Sequence, residues 1–233
     1  MNYKNPSLPI SRRVADLLGR MTLAEKVAQT VQIFVLPETR EAIKQGIRQH
    51  GYGSRILTES YLAGGLTKPV ARVDDLNDIQ RVAVEESRLG IPLLYGRDVL
   101  HGHRTGFPIP LAMAATFDTV AVEQAYEISA TEASAVGIHW AFAPMLDIAR
   151  DPRWGRIIEG FGEAPYLAAR LAAAAVHGFQ GDLDSKGYYV RGRLLACAKH
   201  YIGYGAAEGG RDYNTAEISD NTLRNVYLPS FRA

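Results

Sequence analysis

Apolar positions along the chain follow two rhythms. In the opening residues, Val14, Leu17 and Leu18 share one helical face before Gly19, with Ser11 as the expected N-cap. Thr22 and Glu25 form a T-x-x-E capping box for a second short helix, whose apolar side carries Leu23 and Val27. After that, short apolar runs alternate with amphipathic helices. The predicted strands cover residues 52–57, 91–95, 138–145 and 194–198. One helix is expected over residues 73–89, stopped by Gly90, and another runs from the cap Asp118 to Gly137. A third, rich in alanine, covers residues 165–177, and a last one, capped by Ser219, passes through Leu223, Val226 and Tyr227.

The strands are continuous apolar runs rather than in/out alternations, as expected when both faces are covered. Strand and helix alternating at this spacing predict an α/β fold built of βαβ units on a parallel sheet. Roughly four units are visible, whereas a closed (β/α) barrel has eight over about 250 residues. Periodicity alone fits a barrel portion or a doubly wound open sheet. The loops add more. Residues 96–105, 147–163 and 199–214 are polar and glycine-rich, and each follows a predicted strand. They leave the carboxyl ends of parallel strands, the face on which such folds bind ligands, and loops this long are usually functional.

Composition narrows the partners. Lys+Arg 26 against Asp+Glu 25 leaves a formal net charge of +1. No basic run marks a nucleic-acid or anionic-membrane surface. No apolar stretch is long enough to cross a bilayer. Residues 1–10 lack the apolar segment of a signal peptide, so the chain as written reads as cytoplasmic; a periplasmic or secreted location would need an export signal upstream. The single cysteine, Cys197, excludes an internal disulfide, and its apolar context reads as buried strand with a packing role.

The three loops carry Asp98, His101, His103 and Arg104; then Asp147, Arg150, Asp151, Arg153, Trp154, Arg156, Glu159 and Glu163; then Lys199, His200, Glu208 and Arg211. Carboxylates mixed with cations and an aromatic suit a sugar, whose hydroxyls both donate and accept while its apolar ring face packs on an aromatic. Each group also has a plainer role. Asp98 could cap the chain after its strand. Asp147, Arg150, Asp151 and Arg153 read first as an ion-pair network holding a loop, and Trp154 as packed beneath it. His101 and His103 lack a clear third ligand for a metal. Lys199 and His200 are harder to explain away, because a charged pair directly after an apolar parallel strand points at the ligand face. Adjacent residues of a regular strand point to opposite sides, so both reach one ligand only if the backbone departs from regular strand geometry.

Four segments together resemble glycoside hydrolase family 3: Asp98-Val-Leu-His-Gly-His-Arg-Thr-Gly-Phe-Pro-Ile-Pro, Ala143-Pro-Met-Leu-Asp-Ile-Ala-Arg-Asp-Pro-Arg-Trp-Gly-Arg, Glu159-Gly-Phe-Gly-Glu and Lys199-His-Tyr-Ile-Gly-Tyr-Gly-Ala-Ala-Glu-Gly-Gly-Arg. The likeness is to its bacterial periplasmic β-glucosidases and runs from about Ser11 to the last residue. It implies that residues 1–233 are the N-terminal portion of a TIM-like (β/α)8 barrel, with the rest of the barrel and a second domain outside them. It also implies a retaining hydrolase that releases terminal β-D-glucosyl residues from β-glucosides or oligosaccharides, with no cofactor or metal. By motif, Asp98, Arg156, Lys199 and His200 would bind hydroxyls of one sugar, and Arg211 would lie near its 2-hydroxyl. Family members carry non-proline cis peptide bonds at the Lys-His pair.

The resemblance further implies that the catalytic residues are not in this chain. The family's nucleophile is an aspartate in a Ser-Asp motif on a later strand, and the acid/base lies further on, so both are expected beyond Ala233. The isolated chain is therefore expected to be inactive. Its uncovered strand edges should also make it associate. Ala164 stands where relatives place an aspartate that caps the next helix, a loss of about 1 kcal/mol. The loop after Lys199-His200 lacks the histidine of the family's β-N-acetylglucosaminidase branch. A β-xylosidase of the same family, or a non-catalytic carbohydrate-binding protein, are the competing readings.

Overall fold

Capping side chains set where several helices begin. The computed structural model describes residues 1–34, 39–57, 73–185, 187 and 189–233, and the chain divides into two compact units, Met1–Tyr95 and Gly96–Ala233.

In the first unit, α1 (Ile10–Arg20) is followed by α2 (Leu23–Gln29). The capping box is present: Glu25 N donates to Thr22 Oγ1 at 3.2 Å and Thr22 N donates to Glu25 Oε2 at 2.8 Å. Arg88 also donates to Glu25, its Nε reaching Oε1 at 2.8 Å. By contrast, α1 starts one residue before Ser11, with Pro9 at the N-cap position and no side-chain cap, and it continues through Gly19. Then come β1 (Gln32–Phe34), α3 (Arg40–His50), β2 (Ser54–Ile56), α4 (Val73–Arg81) and β3 (Leu94–Arg97). β1 and β2 pair in parallel, Ile33 opposite Arg55, and Leu94 N donates to Gly53 O at 3.0 Å. α4 passes into a π turn over Val82–Glu86, so helical structure ends short of the expected Leu89. β3 starts later than the apolar run 91–95 because Pro92 has no N–H to give a ladder.

β1 and α3 are absent from the periodicity reading. α3 buries only Ile47 and Lys44, too thin an apolar stripe to register. Lys44 is tolerated inside because Asp78 and Glu41 accept from its ammonium at 2.6 and 3.1 Å.

In the second unit, Gly96 and Arg97 of β3 pair in parallel with Trp140 and Ala141 of β4 (Trp140–Ala141). The helices are α5 (Pro110–Ala114), α6 (Thr119–Ala135), α7 (Pro165–Gln180), α8 (Asp220–Thr222), continued by a π turn over Leu223–Tyr227, and α9 (Pro229–Arg232). Asp118 Oδ1 caps α6 by accepting from Val120 N and Ala121 N, and Ser219 caps α8 by accepting from Thr222 N. α7 follows Ala164 at its N-cap position, without a side-chain cap and with Pro165 in its first turn. α6 and α7 lie against each other. The ring of Tyr126 meets that of Phe179 at 4.7 Å, and a Cβ on Gly178 would stand 2.4 Å from Glu123 O.

The expected strands 138–145 and 194–198 are shorter than the apolar runs. Beyond β4 they survive as parallel bridges, Trp140 to Leu195 and Met145 to Lys199. Pro144 interrupts the first of them, having no N–H to donate. Cys197 is therefore not in a regular buried strand; it is half-buried, and burial pushes its thiol up. Parallel strands alternating with helices make this an α/β protein.

Candidate functional site

The loops that follow β3, β4 and the Leu195–Lys199 segment meet in the second unit. Lys199 Nζ donates to Asp98 Oδ1 at 2.9 Å. This joins the first loop to the third, with the ammonium mostly covered and the carboxylate one-third exposed (12% and 33%). The next residue, His200, joins the third loop to the second. Its N–H and its Nδ1 both lie 2.9 Å from Asp147 Oδ2. The peptide bonds Lys199–His200 and Tyr201–Ile202 are cis, the departure from regular strand geometry that the adjacent pair calls for.

Arg156 is fixed by a different device. A single 3-10 turn over Ile157–Glu159 brings Glu159 back beneath it, and two parallel bonds form, Nε to Oε1 at 2.8 Å and Nη2 to Oε2 at 2.7 Å. The Glu159 carboxylate holds the Arg156 proton more firmly than usual. A two-point fork of this kind fixes the guanidinium plane as well as its position.

Tyr204 connects these parts. Gly203, at φ 87°, turns the chain into the short helix that carries it. Gly205 allows close approach, because a Cβ there would lie 2.4 Å from Ile148 O. The Tyr204 ring then packs edge-on against Trp154 at 5.2 Å and against His200 at 4.9 Å, with the Arg156 guanidinium 5.6 Å from its centre. Its hydroxyl and the Trp154 indole, Nε1 at 2.9 Å, both donate to Asp212 Oδ1. Burial, with the Asp212 carboxylate beside it, pushes the phenol up to about 12. The Tyr204 hydrogen bond holds Asp212 below the usual carboxylate range. Arg156, His200, Tyr201, Tyr204 and Tyr213 line a cavity of about 370 Å³.

Four of the five predicted binding residues are thus brought together: Asp98 with Lys199, and His200 with Arg156 through Tyr204. Arg211 is exposed, and its guanidinium makes no ion pair among the described residues, although Asp212 beside it belongs to the network. Trp154 is packed beneath its loop, 1% exposed, as expected. The ion-pair network expected of the second loop is only partly present. Arg153 grips Asp151 and draws that carboxyl down to about 2. Asp147, however, is buried against His200 rather than joined to an arginine, and Arg150 is exposed. His101 braces its own loop through the Phe107 carbonyl at 2.8 Å. Tyr204 and Asp212 were not anticipated. The glycines flanking Tyr204 are the one sequence signal that could have drawn attention to it.

Residues 22–233 match the model of the glycosyl hydrolase family 3 N-terminal domain. The chain belongs to glycoside hydrolase family 3. Among its relatives, the periplasmic β-glucosidase of Salmonella typhimurium is 39% identical over 221 residues, covering 94% of this chain and 27% of that protein. The lysosomal β-glucosidase of Dictyostelium discoideum is 36% identical over 94% of this chain and 29% of its own length. The chain therefore spans less than a third of these family 3 relatives. A solved β-glucosidase of Listeria innocua, in complex with laminaribiose, superposes with a TM-score of 0.79 at 38% identity, over 94% of this chain and 30% of that one. A β-glucosidase of Erythrobacter marinus superposes at 0.84 and 34% identity, over 99% and 31%. The α/β fold, with its parallel strands and helices, is that of a portion of the family's N-terminal, TIM-like barrel domain. Among the described residues, no helix is long and apolar enough to cross a membrane.

Proposed function

We propose that this chain supplies the sugar-binding side of a β-glucosidase site that acts on terminal β-linked glucosyl residues of glucosides or oligosaccharides. The observation that carries the reading is the convergence of three loops on the Asp98–Lys199 pair and on His200 and Arg156, the last two lining an open cavity. A glucosyl unit presents hydroxyls that donate and accept in alternation. The Asp98 carboxylate would accept hydrogen bonds from them, while Lys199 and Arg156 would donate to their oxygens. Arg211, exposed at the loop end, would complete the set near the 2-hydroxyl. The Listeria relative's complex with laminaribiose, a β-linked glucose disaccharide, supports this substrate class.

Retaining hydrolysis uses two carboxyl groups about 5–5.5 Å apart. In this chain the nearby carboxylates already have structural partners: Asp98 holds Lys199, Asp147 holds His200 and Glu159 holds Arg156. The proposal therefore puts the nucleophile and the acid/base outside residues 1–233, in keeping with relatives more than three times as long. The likeness to proteins named periplasmic carries that location as part of the same proposal.

Calorimetric titration of the 233-residue chain with glucose and with xylose tests the reading. Glucose should bind, xylose more weakly, and Lys199→Ala should lower glucose affinity by about tenfold. Hydrolysis of an aryl β-glucoside by this chain alone would refute the placement of the catalytic pair. Preference for xylose would move the assignment to a β-xylosidase.

A further inference from the structure

Asp147 is the carboxylate in the loops whose burial most needs a reason. Its side chain has no exposed surface, while that of its partner His200 is 38% exposed at the cavity. Both bonds between them use one oxygen. Oδ2 lies 2.9 Å from the His200 N–H and 2.9 Å from its Nδ1, and Oδ1 has no hydrogen-bond partner among the described residues. A carboxylate can only accept, so the ring nitrogen facing it carries the proton. In a neutral imidazole the other nitrogen is then an acceptor. Because Oδ2 also holds the His200 main chain, ring and backbone are anchored at one point, and Tyr204 closes the ring's flank edge-on.

We propose that Asp147 is a positioning residue that fixes His200 with its proton on Nδ1, so that Nε2 accepts a hydrogen bond from a sugar hydroxyl. This rests on the reading of His200 as a sugar contact. It adds a direction to that contact: His200 accepts a hydrogen bond from the hydroxyl it meets, whereas Lys199 and Arg156 donate one. The opposite tautomer would present a third donor and reject the same hydroxyl orientation.

Long-range proton–nitrogen NMR of the labelled 233-residue chain, at a pH where the ring is neutral, reads the tautomer directly. The His200 signals are assigned by their loss in His200→Gln. The expected result is a protonated Nδ1 and a bare Nε2. A protonated Nε2 would overturn the proposal, as would an unchanged tautomer in Asp147→Ala. Glucose titration supplies the second measurement. Affinity should fall on the order of tenfold in Asp147→Ala, with Asp147→Asn between it and the parent, since an amide oxygen keeps a weaker version of both bonds. Should Asp147→Ala fail to fold, the tautomer of the unsubstituted chain still decides. If His200→Gln leaves glucose binding untouched, the sugar-site reading fails, while the tautomer is judged separately by its own spectrum.

Discussion

At the scale of single residues, Ala164 is the plainest place where the sequence falls short of its own fold. It occupies the N-cap of α7 with extended backbone angles of −89° and 109°, suited to a capping side chain, yet has none to offer. Ala164→Asp should therefore accept from the first free amides of α7 and raise stability by about 1 kcal/mol. In a thermal melt that is roughly 2–4 °C. Residue-level legibility differed sharply across the site. Asp98, Lys199 and His200 could be picked out because a charge placed directly after a buried parallel strand has few places to go but the ligand face. Asp147 was misjudged for a physical reason: three arginines follow it within the motif, and proximity in sequence suggested ion pairs that the fold does not make. Its actual partner lies 53 positions away. Asp212 was invisible for the same reason, since its bond to Trp154 spans 58 positions.

Between elements, the contact of α6 with α7 is set by backbone as much as by side chains. A methyl at Gly178 would meet the Glu123 carbonyl at 2.4 Å and Tyr126 Cβ at 2.9 Å, neither of which can swing aside. Gly178→Ala should cost about 1–3 kcal/mol by forcing the helices apart, measurable by chemical denaturation. At the exposed margin of the same contact, His177 of α7 is held by two carboxylates. Asp182 lies 3.1 Å from its Nε2 and Glu123 of α6 lies 2.7 Å from its Nδ1. Asp182 and then Glu123 raise its pKa above 6.5. A group raised on folding contributes stability fully below its unfolded value and loses it as pH rises through the folded one. The melting temperature should thus decline as pH passes upward through neutrality, and His177→Gln should flatten that decline. Elements with a polar cap or a long apolar stripe, such as α6 with Asp118 at its start and α7 with its alanine-rich buried face, were legible from sequence. α3 was not, because its burial relies on Lys44 and one isoleucine.

Across the whole molecule, an acid-side pH dependence joins that of His177. In Met1–Tyr95 the prominent group is Glu25, which Arg88 and the Thr22 cap bring down to about 2 from 4.5. Its contribution is in place above 4.5 and fades as pH falls toward 2. Glu25→Gln should be destabilising near neutrality, and its difference from the parent should vanish in a pH series approaching 2. The alternation of strand and helix was readable at this scale, because parallel strands covered on both faces leave unbroken apolar runs. Periodicity did not choose between a barrel portion and an open sheet; the motifs in the loops did.

Trp154 lies 1% exposed with its indole tied to Asp212 and its face against Tyr204, and the sequence has only two tryptophans. Replacing Trp140 by phenylalanine would leave a single tryptophan, packed against the Tyr204 ring that touches His200 and Arg156. Its emission would then work as a built-in optical gauge of loop order, shifting to the red when solvent reaches the ring, and would separate the melting of the site from that of the surrounding helices.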